Sequence, residues 1–154
     1  MNAERTLFEA VGGLDGLCRL SNAFYEGVLA DELLAPVFAN FTVTHVDHVA
    51  LWLAEIFGGP ATFSAELGGH QALLNSHLGL RITEEHRARW LELMSDAIEQ
   101  TLPAEPQLRR QVFDYFEWGT AIAREVSQDP VGTDLGTPGP TPRWGWQGLI
   151  KHQT

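Results

Sequence analysis

Between His45 and Trp90 the chain is broken too heavily for a simple helical bundle. A histidine-bearing helical segment stops at Gly58-Gly59-Pro60, and an irregular bridge runs on through Gly68-Gly69-His70. His77 and Ile82 follow, and a new helical pattern then carries Trp90. Glycine pairs and proline end helices because glycine takes backbone angles a Cβ forbids and proline lacks the N–H. A compact helical protein interrupted in this way has a gap to fill, and a non-protein group is the natural filler. His77 stands where such a group needs a ligand. The stretch therefore raises the hypothesis of a buried, histidine-ligated cofactor.

The rest of the chain reads as helices. Leu7 to Val11 is a short helical turn ended by Gly12-Gly13. From Asp15 a longer helix places Leu17, Leu20, Phe24 and Val28 on one face, with Tyr25 at its edge. Leu33, Leu34, Val37 and Phe38 make an apolar turn that Pro36 keeps short. Thr44 is an expected N-cap, with Asp47 completing a weak capping box, for a helix whose one side carries His45, Val49, Trp52, Leu53 and Ile56. Thr62 to Gly69 reads as irregular, and His70 to His77 as a short helix. Thr83-Glu84-Glu85-His86 opens the next helix, with Trp90, Met94, Ala97, Ile98 and Thr101 inward and Pro103 closing it. The last helix spans roughly Glu105 to Val126, with Leu108, Val112, Phe116, Gly119 and Ala123 inward. No segment alternates convincingly as a strand. The class is all-α, in one domain over 1–126.

From about Ser127 the chain changes character. Asp129-Pro130, Gly132, Gly136, Pro138-Gly139-Pro140 and Pro142 predict an extended tail over 127–154. Trp144 and Trp146 are unusual there, and exposed they would favour association. They are expected to dock on the domain or on a partner subunit, the latter giving a homodimer.

A formal net charge of -10, with 10 scattered basic residues, argues against nucleic acid or an anionic membrane surface as a partner. No run reaches the roughly 20 apolar residues a membrane helix needs, and Met1–Arg5 shows no signal-peptide pattern. The only cysteine, Cys18, cannot pair within the chain and is expected to be a small core residue that is not activated as a thiolate. The expected location is the cytoplasm. The absence of C-x-x-C-H excludes covalent haem attachment of the c type.

A lone histidine is usually a core or surface residue. For His77, Leu73 and Leu74 offer an apolar floor, and Leu78-Gly79-Leu80 breaks the helix so that one ring nitrogen can face outward. The other nitrogen can then donate to a backbone carbonyl, fixing the tautomer. His45 and His48 lie at i, i+3, but zinc lacks further ligands here. A simpler arrangement has His45 facing the pocket, Val49 one turn on, and His48 more exposed. Tyr25, Phe38 and Trp90 are first of all core aromatics. If a ligand with negative charge density lay between their helices, the Tyr25 phenol and the Trp90 indole could donate to it.

Taken in order, these residues resemble a group II truncated haemoglobin, a small globin built as a two-over-two helical sandwich. The resemblance covers about residues 6 to 126. It rests on Phe8-Glu9-Ala10-Val11-Gly12-Gly13, Phe24-Tyr25, Phe57-Gly58-Gly59-Pro60, Gly69-His70, His77 with Arg81-Ile82, and Ala88-Arg89-Trp90-Leu91. It implies haem b (iron protoporphyrin IX), with His77 as the proximal iron ligand. It further implies Tyr25 and Trp90 as distal donors to bound oxygen, and Phe38 stacked against the porphyrin. His45 would gate the distal pocket or donate within it, and Val49 would shape it. Arg81 and His70 would lie at the propionate edge. Leu74, Ile82, Met94 and Phe63 complete the implied haem contacts, Phe63 standing where relatives often carry a tyrosine.

The leading function is reversible binding of oxygen, with nitric oxide and carbon monoxide as further diatomic ligands. The alternative is a haem redox enzyme, a nitric oxide dioxygenase or a peroxidase using peroxide, with His45 assisting proton transfer. The chain carries no flavin motif, so that alternative needs an external reductase. A cofactor-free helical interaction protein is the third reading, and it leaves the broken stretch around His77 unexplained.

Overall fold

The computed structural model describes residues 5–38 and 43–150. The described residues form seven α-helices, one 3-10 turn and a C-terminal hairpin. Helix α1 (Leu7–Ala10) is opened by a reciprocal capping box. Thr6 Oγ1 accepts from the Glu9 N–H at 3.1 Å, and the Glu9 carboxylate accepts from the Thr6 N–H at 3.0 Å. Gly12 and Gly13, both at positive φ, turn the chain into α2 (Gly13–Leu29). Its buried side carries Leu17, Leu20, Phe24 and Val28, the face that the periodicity predicts, together with Gly16, Ser21 and Tyr25.

After α2 the Asp31 carboxylate accepts from the Leu33 and Leu34 N–H groups, and it pairs with Arg89 at 3.1 Å. That anchor sets the 3-10 turn Ala35–Phe38. Helix α3 (Val43–Ile56) begins one residue before Thr44, so Thr44 lies within the first turn rather than capping it. The helix stops at Gly58, whose φ of 101° no ordinary side chain favours.

Helix α4 (Thr62–Glu66) corrects the expectation of an irregular Thr62–Gly69. Its first-turn Ser64 N–H is satisfied from another helix, by the Glu55 carboxylate at 2.8 Å. Helix α5 (Gly69–Asn75) follows, entered through Gly68 at φ 89°. Helix α6 (Glu84–Thr101) opens on a second capping box. The Thr83 hydroxyl accepts from the His86 N–H, and His86 Nδ1 accepts from the Thr83 N–H. Helix α7 (Pro106–Ser127) starts with proline in its first turn, where a missing N–H costs nothing.

Helix α2 packs on α3 and on α6, and α6 packs on α7, giving two helical pairs stacked on each other. Phe24, Phe57 and Phe116 are the largest fully buried side chains. Each removes apolar surface worth roughly 1.5–3 kcal/mol.

The tail does not stand away from this body. Strands β1 (Arg143–Gly145) and β2 (Gly148–Ile150) pair antiparallel, with Trp144 opposite Leu149. This corrects the expectation of no strand. Three-residue strands are too short to show alternation, and the hairpin is held by docking. Trp144, 7% exposed, packs against Tyr115 and Trp118 and donates to Gln111 Oε1 at 3.2 Å. Trp146 Nε1 donates to the Arg5 carbonyl at 2.6 Å. Both tail tryptophans therefore dock on the domain, one of the two expected outcomes. No helix of the described residues is long and apolar enough to cross a membrane.

Candidate functional site

His77 stands two residues beyond the end of α5, in the turn that closes it. Its backbone N–H donates to the Leu74 carbonyl at 3.0 Å. Its ring Nδ1 lies 2.8 Å from the Leu73 carbonyl oxygen. A carbonyl only accepts, so Nδ1 carries the proton and Nε2 presents its lone pair. Burial pushes the imidazole pKa down, against the opposing pull of the Leu73 carbonyl. The ring is thus neutral near pH 7 and in the tautomer a metal ligand needs.

Of the apolar residues expected to line the site, Leu74, Ile82, Phe38, Val49 and Trp90 are half-buried rather than sealed in the core. Phe63 and Met94 differ, at 6% and 2% exposed. His70 is half-buried, and its Nδ1 is buried without a hydrogen-bond partner. Desolvation pushes its pKa down. Arg81 is exposed, at a positive φ of 52°, and makes no ion pair among the described residues.

On the other side, α2 and α6 bring the aromatic candidates together. The Tyr25 ring meets Phe38 edge-on at 5.8 Å and Phe24 at 5.0 Å. Trp90 meets the same Phe24 at 4.6 Å and Phe116 at 5.3 Å. Phe24 thus spaces the two donors, a role that its place in the apolar periodicity conceals. Tyr25 is 9% exposed, and burial pushes its phenol pKa far up, so it remains a protonated donor. On α3 the two histidines invert the expected order of exposure. His45 is exposed and His48 half-buried, with ring centroids 6.5 Å apart. Helix α3 begins a residue early and His48 turns toward the body, so the i, i+3 spacing alone could not rank them.

The residues fit a haem on three counts. One neutral imidazole offers a free lone pair, half-buried apolar side chains can face a flat macrocycle, and the orphaned His70 Nδ1 suits a carboxylate edge. Among the described residues no three His, Cys, Asp or Glu side chains gather as ligands for a bare metal ion. Sequence reasoning passed over Ser127, Gln128 and Asp129, which bond the backbone after His77 from the end of α7. Nothing in their composition marks them, since their partners lie some 45 residues upstream.

The family model of bacterial-like globins matches residues 6–119. The group 2 truncated hemoglobin YjbI of Bacillus subtilis (strain 168) is 32% identical over 110 residues, covering 71% of this chain and 81% of that protein. A thermostable hemoglobin from the actinobacterium Thermobifida fusca is 36% identical with a TM-score of 0.68, covering 77% of this chain and 97% of its own. A truncated oxygen-avid haemoglobin from Bacillus subtilis is 31% identical with a TM-score of 0.68, covering 79% and 98%. With the two stacked helical pairs and the His77 geometry, these matches identify the chain as a member of the bacterial-like globins, a group II truncated haemoglobin and hence a haem protein.

Proposed function

We propose that the chain holds haem b on His77 Nε2 and binds dioxygen reversibly, with nitric oxide and carbon monoxide as further diatomic ligands. The observation that carries this reading is the 2.8 Å bond from His77 Nδ1 to the Leu73 carbonyl, which leaves the other nitrogen's lone pair available to a metal. The similar truncated haemoglobin from Bacillus subtilis is oxygen-avid, which supports dioxygen as the ligand. When bound, the haem iron supplies an open coordination position for a diatomic molecule.

The chain's own residues supply the rest. The Leu73 carbonyl orients the His77 ring and raises its basicity. Tyr25, kept protonated by burial, and the Trp90 indole, which can only donate, stabilise a ligand carrying negative charge density. Phe38, Val49, Leu74 and Ile82 keep water from the macrocycle, with the more deeply buried Phe63 and Met94 adding apolar bulk. His70 Nδ1 and Arg81 hold the propionates. His45, exposed near the start of α3, gates the ligand's path. Burial, then Asp47 and Asp15, push the Cys18 thiol pKa up against the lowering pull of Arg19, which keeps it an inert thiol suited to a reducing cytoplasm.

The test is spectroscopic. Haemin added to the protein should give a Soret band, and His77→Gly should lose haem or retain it only with added imidazole. Unchanged absorption spectra in His77→Gly would remove the ligand assignment.

A further inference from the structure

The loop after His77 is tied down from far along the chain. The Gly79 N–H donates to the Asp129 carbonyl at 2.7 Å, and the Arg81 N–H donates to the Ser127 carbonyl at 2.9 Å. The Ile82 N–H donates to Ser127 Oγ at 2.9 Å, and Gln128 Nε2 donates to the Ile82 carbonyl at 2.7 Å. All four partners come from three consecutive residues at the end of α7. Within the loop, the Leu80 N–H donates to the His77 carbonyl at a longer 3.2 Å.

The tethered backbone is not in a conformation it would keep unaided. Gly79 has φ 80° and Arg81 has φ 52°, and the second is unfavourable for any residue with a Cβ. Gly79 also lies so close to Val131 that a Cβ there would stand 2.8 Å from the valine methyl. Ser127 is fully buried, and its hydroxyl makes three bonds, donating to the Arg124 carbonyl at 2.7 Å while accepting from the Ile82 N–H at 2.9 Å and from Gln128 Nε2 at 3.2 Å. Gln128 is exposed, so its side chain is not needed to fill the core.

We infer that Ser127 and Gln128 are positioning residues for His77: by holding the loop Leu78–Ile82 they set the ring's tilt and the strength of its bond to haem iron. This rests on the reading of His77 as the iron ligand. The Leu73 carbonyl holds the ring from the α5 side, and the α7 tether holds the backbone that begins two residues beyond it. With the turn held on both sides, the imidazole has little freedom to tilt. The family-model match ends at residue 119, so the loop lies within the matched residues and the two tethering residues lie beyond them.

The experiment uses the haem-loaded full chain and the variants Gln128→Glu and Ser127→Ala. Three quantities are read: the iron–histidine stretching band of the ferrous protein by resonance Raman, the rate of haem transfer to an excess of apo-globin acceptor, and the thermal midpoint. Both variants should shift the band and speed haem loss on the order of threefold to tenfold, below the tenfold to hundredfold typical of a group bonded directly to a metal ligand. A lowered thermal midpoint with a wild-type band and wild-type haem loss would mean that the two residues merely cap α7, and would overturn the inference. Should Ser127→Ala fail to fold, the exposed Gln128→Glu decides alone. His77→Gly is the control: a retained spectrum removes the ligand assignment and this inference with it. A lost spectrum combined with unaltered tether variants overturns the inference only.

Discussion

Tyr25 and Trp90 are distinguished from the other buried aromatics by what their polar atoms can do. Tyr25 is a phenol that burial keeps protonated, and Trp90 is a half-buried indole; both rest on Phe24. A hydrogen bond to a charged acceptor contributes about 1.5–3 kcal/mol. Tyr25→Phe and Trp90→Phe should therefore each raise the oxygen dissociation rate by on the order of tenfold to a hundredfold. Stopped-flow displacement of oxygen measures this, and unaltered rates in both would refute the donor roles. At this scale the residue types were legible from the chain, because phenol, indole and imidazole chemistry belongs to the side chain itself. The tautomer of His77 was anticipated only as an option. The carbonyl that selects it, at Leu73, became definite when the turn closed. The i, i+3 spacing does not predict that His45 is exposed and His48 half-buried, since exposure depends on the helix's rotation against its neighbours.

Helices α1 and α2 meet at a point with no room for a side chain. A Cβ on Gly16 would stand 1.9 Å from the Val11 carbonyl oxygen, which is rigid backbone. Gly16→Ala should destabilise the protein by about 1–3 kcal/mol through overpacking, with the turn at Gly12-Gly13 shifting to make space. Gly119, in the middle of α7, is the contrast. A Cβ there would touch only the Tyr115 ring, at ordinary van der Waals distance, 3.7 Å. Gly119→Ala should be neutral or stabilise by up to roughly 1 kcal/mol, because alanine loses less backbone freedom in a helix. Denaturant unfolding of the two variants checks the pair, and equal effects would count against the close approach. The buried faces of α2, α6 and α7 could be read from three- and four-residue spacing, which is a property of the helix alone. Helix α4 could not, because its first-turn N–H is satisfied by Glu55, nine positions earlier on another helix.

Across the whole molecule, Glu55 joins the body to its tail. This carboxylate is 2% exposed; it accepts from the Ser64 N–H and hydroxyl, and Ser64 in turn meets Thr141 at 3.0 Å. Burial alone would raise its pKa. The hydrogen bonds from Ser64 and Thr141, with the charge of Arg143, more than offset that and hold it below the usual carboxylate range. A depressed folded-state pKa means a stabilising contribution that is fully present above the unfolded value, near 4.3, and is lost as pH falls through the lower folded value. Glu55→Gln should thus cost about 1.5–3 kcal/mol at pH 7, and the gap to the wild-type protein should narrow below about pH 4. Urea unfolding of both proteins at the two pH values is the measurement. A gap that does not change with pH would show that the ionised form is not what holds the tail.

The chain by itself determined the all-α class, the helix faces, the stops at glycine and proline, and the residue types that suit a haem. Those follow from local rules, in which backbone sterics and the helical repeat act over a few neighbouring positions. Tertiary structure decided the rest: the His77 tautomer, the spacing of Tyr25 and Trp90 on Phe24, the tether from Ser127 and Gln128, and the docking of Trp144 and Trp146. Each of these needs a partner brought in by folding, and in most of them the partner lies tens of residues away. A hydrogen bond to such a partner leaves no periodic trace in the sequence of either one.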